Sequence, residues 1–398
     1  MKKQFDKREY VIPQIKLPYA MGRKVFWMKK QDGFGDRSWS EYFVFLTKRA
    51  GIKLRDSMSE QIEEGTKDHL MDMWMMNFAD NLPFIRFGDN LTMEVPEKPV
   101  IRTIADLGRP EPTLEKPPDG SAVIIGRGPS VWKNRYKLDG EDANHLDLLS
   151  KYVKEKKYRG AVCASDGMLI ECLKRDIIPE ITVSVDGSPI ITKWYDHPLV
   201  KKHGSRLKII LPSTINHQVY KTCIANGCQV YWFSPMLDMP TRLETFTRIM
   251  GFLTKTRKED KNLVAGQAGG NCGSCAWIMA MELLKRSPCA FIGIDMGYPE
   301  GTKLEDTPYF SSVLPQIKEQ PQMMEHVYVK IHHPIYKTDA YFDAAFHHYR
   351  QAIIDMQKNT LQWYRHYGGT INCTEGGTLW GAGIECTTFK EFLDKYPT

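Results

Sequence analysis

The stretch that most constrains the fold is residues 121–130, SAVIIGRGPS. Its apolar run is rich in β-branched residues and stops at a glycine, which predicts a buried strand ending in a tight turn. Gly126 and Gly128 carry no Cβ, so the backbone can turn sharply there and a ligand can approach closely. Pro129 fits a first helical turn, where its missing N–H needs no partner. Such a strand–turn–helix unit can bind a phosphate, although an ordinary turn between a strand and a helix has the same sequence pattern.

From this strand onward, apolar runs alternate with segments of helical periodicity. Alternation of this kind predicts an α/β fold, a Rossmann-like and mainly parallel sheet with helices on both faces. Further strands are predicted at 159–164, 181–185, 208–211, 229–233, 289–294 and 370–373, and helices at 144–156, 168–175, 243–253, 276–284 and 341–367.

The N-terminal part has a different pattern. Apolar residues recur at helical spacing over 38–53 and 59–82, and prolines crowd the stretch from 83 to 118. The second helix is rich in methionine and aromatic residues, which favours a core or a contact between copies of the chain. We therefore predict a helical extension with a linker at 1–115, self-association through its helices, and a Rossmann-like domain at 116–398 with an irregular insertion near 297–340.

Composition narrows the class of protein. A net charge of +6 over 398 residues is spread along the chain and does not indicate a nucleic-acid partner. No apolar run is long enough to predict a membrane span, and the N-terminus has no signal-peptide pattern. Nine cysteines, mostly inside apolar segments, favour reduced thiols. The sequence predicts a cytoplasmic protein that acts on small molecules.

In an open parallel sheet, ligands bind beyond the carboxyl ends of the strands, near the point where strand order reverses. Small, acidic and hydroxyl residues gather at those ends here, and the turn at 269–273 offers a second backbone cradle for phosphate. Alternatively, each carboxylate caps the helix after it or makes a turn, and the glycine-rich turn serves only packing. The predicted nucleotide-binding residues are Gly126, Gly128, Pro129, Ser130, Asp166, Gly269, Gly270, Asn271, Glu375 and Gly376.

Asp186 and Asp295 are the predicted catalytic carboxylates. Converging carboxylates repel one another unless a cation or a shared proton relieves them, and Mg²⁺ is the cation that prefers oxygen ligands together with phosphates. The two residues are therefore also the predicted metal ligands. His333, in the irregular segment after Asp295, is a candidate general base. The alternative for His333 is an ordinary surface histidine. The CxxC of Cys272 and Cys275 has no partner motif and is interpreted as packing thiols.

Four blocks in order carry a family resemblance: GRGPS (126–130), AVCASDGMLIECLKRDIIPEITVSVDGSP (161–189), GGNCGSCAWIMAMELLKRSPCAFIGIDMGYPEG (269–301) and NCTEGGTLWGAGIECTTFKEFL (372–393). Together they resemble the 6-hydroxymethylpterin pyrophosphokinase MptE-like family. That family shares an α/β fold with the motility accessory factors and is distantly similar to bacterial sialyltransferases. The resemblance implies a nucleotide-binding domain, with the motif positions above as a group taking nucleotide or metal roles.

The resemblance implies Mg²⁺-dependent transfer of diphosphate from ATP to a hydroxymethylpterin-like alcohol, which is the first functional expectation. One alternative is a glycosyltransferase that uses a nucleotide-activated, CMP-type sugar and a small-molecule or glycan acceptor. The N-terminal extension and the long segment between 297 and 367 are more like the glycosyltransferase side of the superfamily. A third alternative is a nucleotide-binding protein without catalysis.

Overall fold

The fold is built around one nine-stranded sheet in which every neighbouring pair of strands is parallel. The computed structural model describes residues 15–16, 27–28, 57–88, 101–237, 246–254, 263–266, 268–307, 310 and 327–398, with side chains in the N-terminal helix from residue 70 onward. The strands of the sheet are β1 (Ala122–Ile125), β2 (Ala161–Ser165), β3 (Ile181–Val183), β4 (Lys208–Pro212), β5 (Gln229–Pro235), β6 (Ala265–Gly266), β7 (Cys289–Ile292), β8 (Thr370–Asn372) and β9 (Glu385–Cys386).

Strand order places the first strand inside the sheet. The order is β6-β5-β4-β3-β2-β1-β7-β8-β9, so the chain first grows outward from β1 to β6 and then returns to the other side of β1. Strand order therefore reverses between β1 and β7. The predicted α/β architecture is confirmed, and the reversal marks the place where a ligand site is expected.

Helices cover both faces of this sheet. The helices are α1 (Ser57–Phe87), α2 (His145–Lys154), α3 (Leu169–Lys174), α4 (Pro198–His203), α5 (His217–Ala225), α6 (Phe246–Leu253), α7 (Cys272–Ile278), α8 (Ala344–Lys358), α9 (Gln362–His366) and α10 (Phe389–Lys395). A π-helical turn, Met279–Leu283, continues α7. No helix in the described ranges is both long enough and apolar enough to cross a bilayer.

Alternate residues of β1 point to two separate cores. Ala122 and Ile124 pack with residues of α7, α8 and α9, whereas Val123 and Ile125 pack with residues of α2 and α10. All four side chains are fully buried, as expected for a central strand covered on both faces. The continuous apolar run in the sequence is thus explained by the burial of β1 on both faces of the sheet.

Two segments differ from the sequence prediction. The predicted helix at 341–367 is two helices, because the chain breaks at residues 359–361 and buries Leu361 in the core between α8 and α9. The segment predicted as irregular contains a three-stranded antiparallel sheet of Tyr298–Pro299, Thr338–Phe342 and Val329–His333. Most residues of its strands are only half-buried, so the strands lack the buried apolar runs by which the central strands are predicted. The predicted helix at 38–53 lies outside the described residues.

Helix α1 is attached to the sheet domain through two buried asparagines. The Asn77 side chain donates hydrogen bonds to the carbonyl oxygens of Gly187 and Thr214, at 2.9 and 3.0 Å. One turn later, the Asn81 amide donates to the carbonyls of Ser213 and Ile215, at 3.1 and 2.7 Å. These carbonyls lie in the turns that follow β3 and β4. The helix therefore covers the carboxyl edge of this half of the sheet. Met75 and Met76 on the same helix are exposed, and self-association through this helix stays a prediction.

We expect Asn81→Ala to lower the free energy of unfolding by about 2–4 kcal/mol, because it leaves buried carbonyl groups without donors. Urea denaturation followed by circular dichroism measures the change. Asp72→Ala is the matched control, since Asp72 is exposed on the same helix. Equal stabilities of the two variants would show that the asparagine contacts do not hold α1 in place.

Candidate functional site

A cavity of about 380 Å³ lies where strand order reverses. Residues 126–129 follow β1, residues 165–167 end β2, residues 293–297 follow β7, and residues 271–273 begin α7; all four segments line it. They belong to three neighbouring strands and one helix. The prediction that distant loops meet at the carboxyl edge of one sheet therefore holds for these four segments.

Asp295 places a buried carboxyl group in the cavity wall. Its Oδ2 accepts hydrogen bonds from the Ser130 hydroxyl at 2.9 Å and from the Ser130 N–H at 3.4 Å. Burial raises the pKa of Asp295 from 3.8 to about 6, and the two bonds from Ser130 oppose part of that rise. A carboxyl group with such a pKa exchanges its proton near neutral pH, which is the property of a general acid or base.

The glycines of the first motif have a packing role. A Cβ on Gly126 would lie 2.3 Å from the Gly293 carbonyl oxygen, and a Cβ on Gly128 would lie 1.9 Å from Oδ2 of Asp295. The Gly128 N–H donates to the Gly293 carbonyl at 2.7 Å. The glycines thus allow the turns after β1 and β7 to touch. The two glycines do allow a close approach to the backbone, as predicted. The groups that approach them are the Gly293 backbone and the Asp295 carboxyl group.

Asp166 is the second carboxyl group that lines the cavity. Its Oδ1 accepts from the Gly167 N–H at 2.7 Å, and its Oδ2 accepts from the Ser184 hydroxyl at 2.8 Å. Ser184 also bonds the Tyr195 hydroxyl at 2.8 Å. Burial raises the pKa of Asp166, although the bonds from Ser184 and Gly167 oppose the rise. Asp166 is therefore fixed in place by its neighbours.

Asn271, in the glycine-rich turn, lines the cavity. Its Oδ1 caps α7 by accepting from the Ser274 N–H at 3.0 Å, while its Nδ2 is buried and has no hydrogen-bond partner among the described residues. Gly269 and Gly270 do not line the cavity. Gly270 instead leaves room for the Tyr349 ring, since a Cβ there would lie 2.5 Å from ring carbons.

Aromatic side chains and one arginine complete the wall. Tyr298, Phe346 and Tyr349 line the cavity together with Trp194 and Arg127. The rings of Tyr298 and Phe346 meet edge to face with centroids 5.0 Å apart. The sequence interpretation missed all five residues. Phe346 and Tyr349 are three residues apart on α8, so their position on one face of the helix was predictable. Nothing in the sequence indicates that this face meets the edge of the sheet.

Asp186 lies at the same edge of the sheet but not in the cavity wall. It is exposed, and its Oδ1 accepts from the Ser188 N–H at 2.8 Å in the turn after β3. The structure therefore does not bring Asp186 and Asp295 together as a pair of lining carboxylates. Asp186 makes the turn contact that the sequence analysis gave as the alternative for each carboxylate.

Glu375 connects three elements outside the cavity. Its Oε1 accepts from the Tyr136 hydroxyl at 2.5 Å, from the Phe389 N–H at 3.1 Å, and lies 3.2 Å from Nε2 of the buried His145. Burial alone would raise the pKa of Glu375, but these hydrogen bonds outweigh it and hold the pKa below its ordinary value. Gly376 follows it and also lies outside the lining. The geometry fits a structural role for Glu375.

His333 is the buried last residue of the strand Val329–His333 and is not among the residues that line the cavity. Its Nδ1 accepts from the N–H groups of Ile335 and Tyr336, at 3.3 and 3.2 Å, and its Nε2 faces the Leu379 carbonyl at 3.3 Å. Burial lowers the pKa of His333, although the Leu379 carbonyl opposes the change. Both ring nitrogens are thus used by backbone groups, and the surface position considered for this histidine is not found.

The described residues offer few ligands for Mg²⁺. The described part of the chain contains no group of three or more His, Cys, Asp or Glu side chains that could hold a metal ion. Asp295 keeps one oxygen, Oδ1, that accepts no hydrogen bond from the described residues. Mg²⁺ is usually held by one or two carboxylates with phosphates and water. Asp295 therefore fits as a single protein ligand to Mg²⁺ carried by a phosphorylated substrate.

We expect Gly128→Ala to destabilise the chain by about 1–3 kcal/mol, because the added methyl group overpacks the contact with Asp295. The backbone of Gly128, with φ −63°, accepts any residue, so the effect is purely steric. Thermal unfolding measures it, with Gly376→Ala as control, since nothing lies nearer than 3.9 Å to a Cβ there. Unchanged stability of the Gly128 variant would contradict the packing.

Asp295→Asn tests the raised pKa. A carboxyl group with a higher pKa in the fold stabilises the protein when protonated, and that stabilisation is lost as pH rises from about 4 to about 6. Relative to the wild type, the asparagine variant should gain on the order of 3 kcal/mol of unfolding free energy across that range. Urea titrations at pH 4, 5, 6 and 7 give the difference. Parallel profiles of the two proteins would refute the shift.

A scan against protein-family models finds no match for the chain, and a search of the curated proteins finds none either. Among solved structures, the chain is similar to one described as "Structure of MAf glycosyltransferase from Magnetospirillum magneticum AMB-1". The two share 12% sequence identity with a TM-score of 0.49, over 80% of this chain and 38% of that chain. The chain spans less than half of that protein's length, and that protein's activity is not carried over to it.

Proposed function

We propose that the chain is a nucleotide-dependent transferase whose donor binds in the cavity at the strand-order reversal. The observation that carries the proposal is the combination of chemical groups in this wall: aromatic rings, the unpartnered Asn271 amide, the Arg127 cation and a carboxyl group with a pKa of about 6. Aromatic rings stack on a nucleobase. The amide and the guanidinium donate hydrogen bonds to phosphate oxygens.

Asp295 is the proposed general base. Above pH 6 its carboxylate accepts the proton of an acceptor hydroxyl, and Ser130 holds the carboxyl group in orientation. In glycosyl transfer, the acceptor oxygen attacks the anomeric carbon of the donor sugar and the bond from that carbon to the nucleotide phosphate breaks. The nucleotide leaves with the electron pair of that bond, and Arg127 is placed to balance its charge.

We favour a nucleotide-activated sugar as the donor because of where the carboxylates lie. The cavity wall presents Asp295 and the internally bonded Asp166, while Asp186 points into the turn after β3. A pair of free carboxylates for a metal-bound triphosphate is therefore not assembled in the wall. A donor that departs as a nucleotide needs cations and amide donors, and the wall offers both in Arg127 and Asn271.

A second candidate is transfer of diphosphate from ATP to a hydroxymethylpterin-like alcohol, and the free Oδ1 of Asp295 favours it. In this reaction the alcohol oxygen attacks the β-phosphorus, the bond to the bridging oxygen breaks, and AMP leaves. Mg²⁺, when bound, would neutralise charge on the phosphates. Asp295 would hold the ion or accept the alcohol proton. The aromatic wall suits a flat pterin ring as well as a nucleobase.

The first experiment is a thermal-shift screen of the purified chain with CMP, UDP, GDP and ATP, with and without Mg²⁺. Binding to the folded state raises the melting temperature by an amount set by ligand concentration over affinity. At least one nucleotide should stabilise the wild type. A chain that no nucleotide stabilises would contradict the proposed function.

The second experiment separates binding from chemistry. Asp295→Asn should keep nucleotide affinity but lower turnover by about 10²–10⁴-fold, because a positioned base is lost. Nucleotide release from CMP-, UDP- and GDP-sugars, and AMP release from ATP with pterin alcohols, are the readouts. Asp176→Asn, on the exposed opposite edge, is the control. Nucleotide binding without turnover of either kind would instead support a non-catalytic nucleotide-binding protein.

A further inference from the structure

Two cations share one tryptophan ring beside the cavity. The Arg127 guanidinium carbon and the Lys193 Nζ each lie 4.5 Å from the centroid of the Trp194 ring. Arg127 and Trp194 line the cavity, and Lys193 approaches the same ring from outside the lining. We name these three residues the cation rim. Arg127 and Lys193 are both exposed, so the rim lies between the cavity and solvent.

The fold itself does not account for this arrangement. Among the described residues, neither Arg127 nor Lys193 forms an ion pair with a carboxylate. A cation over an exposed aromatic ring gains little free energy, and two like charges beside one ring repel each other. The rim therefore concentrates positive charge that no protein group in the described ranges neutralises.

Packing holds the Arg127 side chain in position before any ligand binds. A Cβ on Gly167 would lie 3.0 Å from Cδ of Arg127 and 3.7 Å from the Trp194 ring, so the glycine leaves the space that the arginine stem fills. A guanidinium held against a ring loses less freedom when it binds an anion, and its planar fork matches phosphate oxygens. Arg127 is also the one cation among the described residues that line the cavity.

We propose that the cation rim binds the outer phosphate of a nucleoside diphosphate group, so that the donor is diphosphate-linked rather than CMP-type. This inference rests on the proposed function. A monophosphate carries one anionic group, for which the lining of the cavity supplies the side chain of Asn271. A second phosphate adds charge that the interior disfavours, because Asp166 and Asp295 lie there. The rim supplies two cations for that second group.

The test compares nucleotides of one base at a time. Isothermal titration calorimetry gives the affinities of CMP, CDP and CTP, and of the uridine, guanosine and adenosine series, for the wild type. At least one series should tighten by about tenfold from monophosphate to diphosphate, the effect of a hydrogen bond to a charged group. In the double variant Arg127→Gln/Lys193→Gln, the gain from monophosphate to diphosphate should fall to about twofold or less.

Lys201→Gln/Lys202→Gln is the matched control, because it removes the same charge from the exposed α4. It should keep the full gain. Salt provides a second measurement that does not depend on comparing folded variants. Between 50 and 300 mM NaCl, diphosphate affinity of the wild type should fall more steeply than monophosphate affinity, since screening weakens contacts with exposed cations.

Three results would overturn the inference. The first is equal affinity of the wild type for mono- and diphosphates in every series. The second is a double variant that keeps the tenfold gain in affinity. The third is an equal salt dependence of the monophosphate and diphosphate affinities. The proposed function survives each of these, because nucleotides still bind. Absence of binding by any nucleotide would overturn the proposed function and the inference together.

Discussion

The contact between the turns after β1 and β7 determines the geometry of the cavity. Gly126 and Gly293 face each other so closely that a Cβ on either would lie 2.3 Å from the other's carbonyl oxygen. Because the turns touch, Ser130 reaches Asp295 and the carboxyl group is buried between two strands. Its raised pKa, and with it the proposed base, follows from this packing. The cavity opens beside the contact, where strand order reverses.

Much of this fold was predictable because its strands are buried on both faces. A central parallel strand has no polar face, so the apolar runs of β1, β2 and β7 stand out in the sequence, and each stops at a small or acidic residue. Since parallel strands share one carboxyl edge, the residues after them had to gather there. Four of the segments named from the sequence do meet in one cavity, where Gly128, Asp166, Asn271 and Asp295 lie.

The parts that were not predicted depend on distant contacts. Glu375 follows a buried strand just as Asp295 does, yet it turns toward Tyr136 and His145. Tyr136 belongs to a hairpin of the strands Tyr136–Leu138 and Glu141–Ala143, and His145 begins α2. Sequence shows that both carboxylates end strands, but not which neighbour each will find. The cavity's aromatic wall likewise depends on how α8 docks. Arg127 lies between the two glycines of the first motif. Its contact with the Trp194 ring, which is distant in the sequence, could not be predicted from the motif.

The outermost strands of the central sheet have a consequence for the chain in a crowded solution. The sheet ends on β6 and β9, each two residues long, and the part of β5 that β6 leaves uncovered is met by another segment, where the Trp232 N–H donates to the Arg102 carbonyl at 3.0 Å. Long open borders invite other chains to add strands and aggregate. A wide sheet with very short terminal strands limits such growth without any need to close into a barrel.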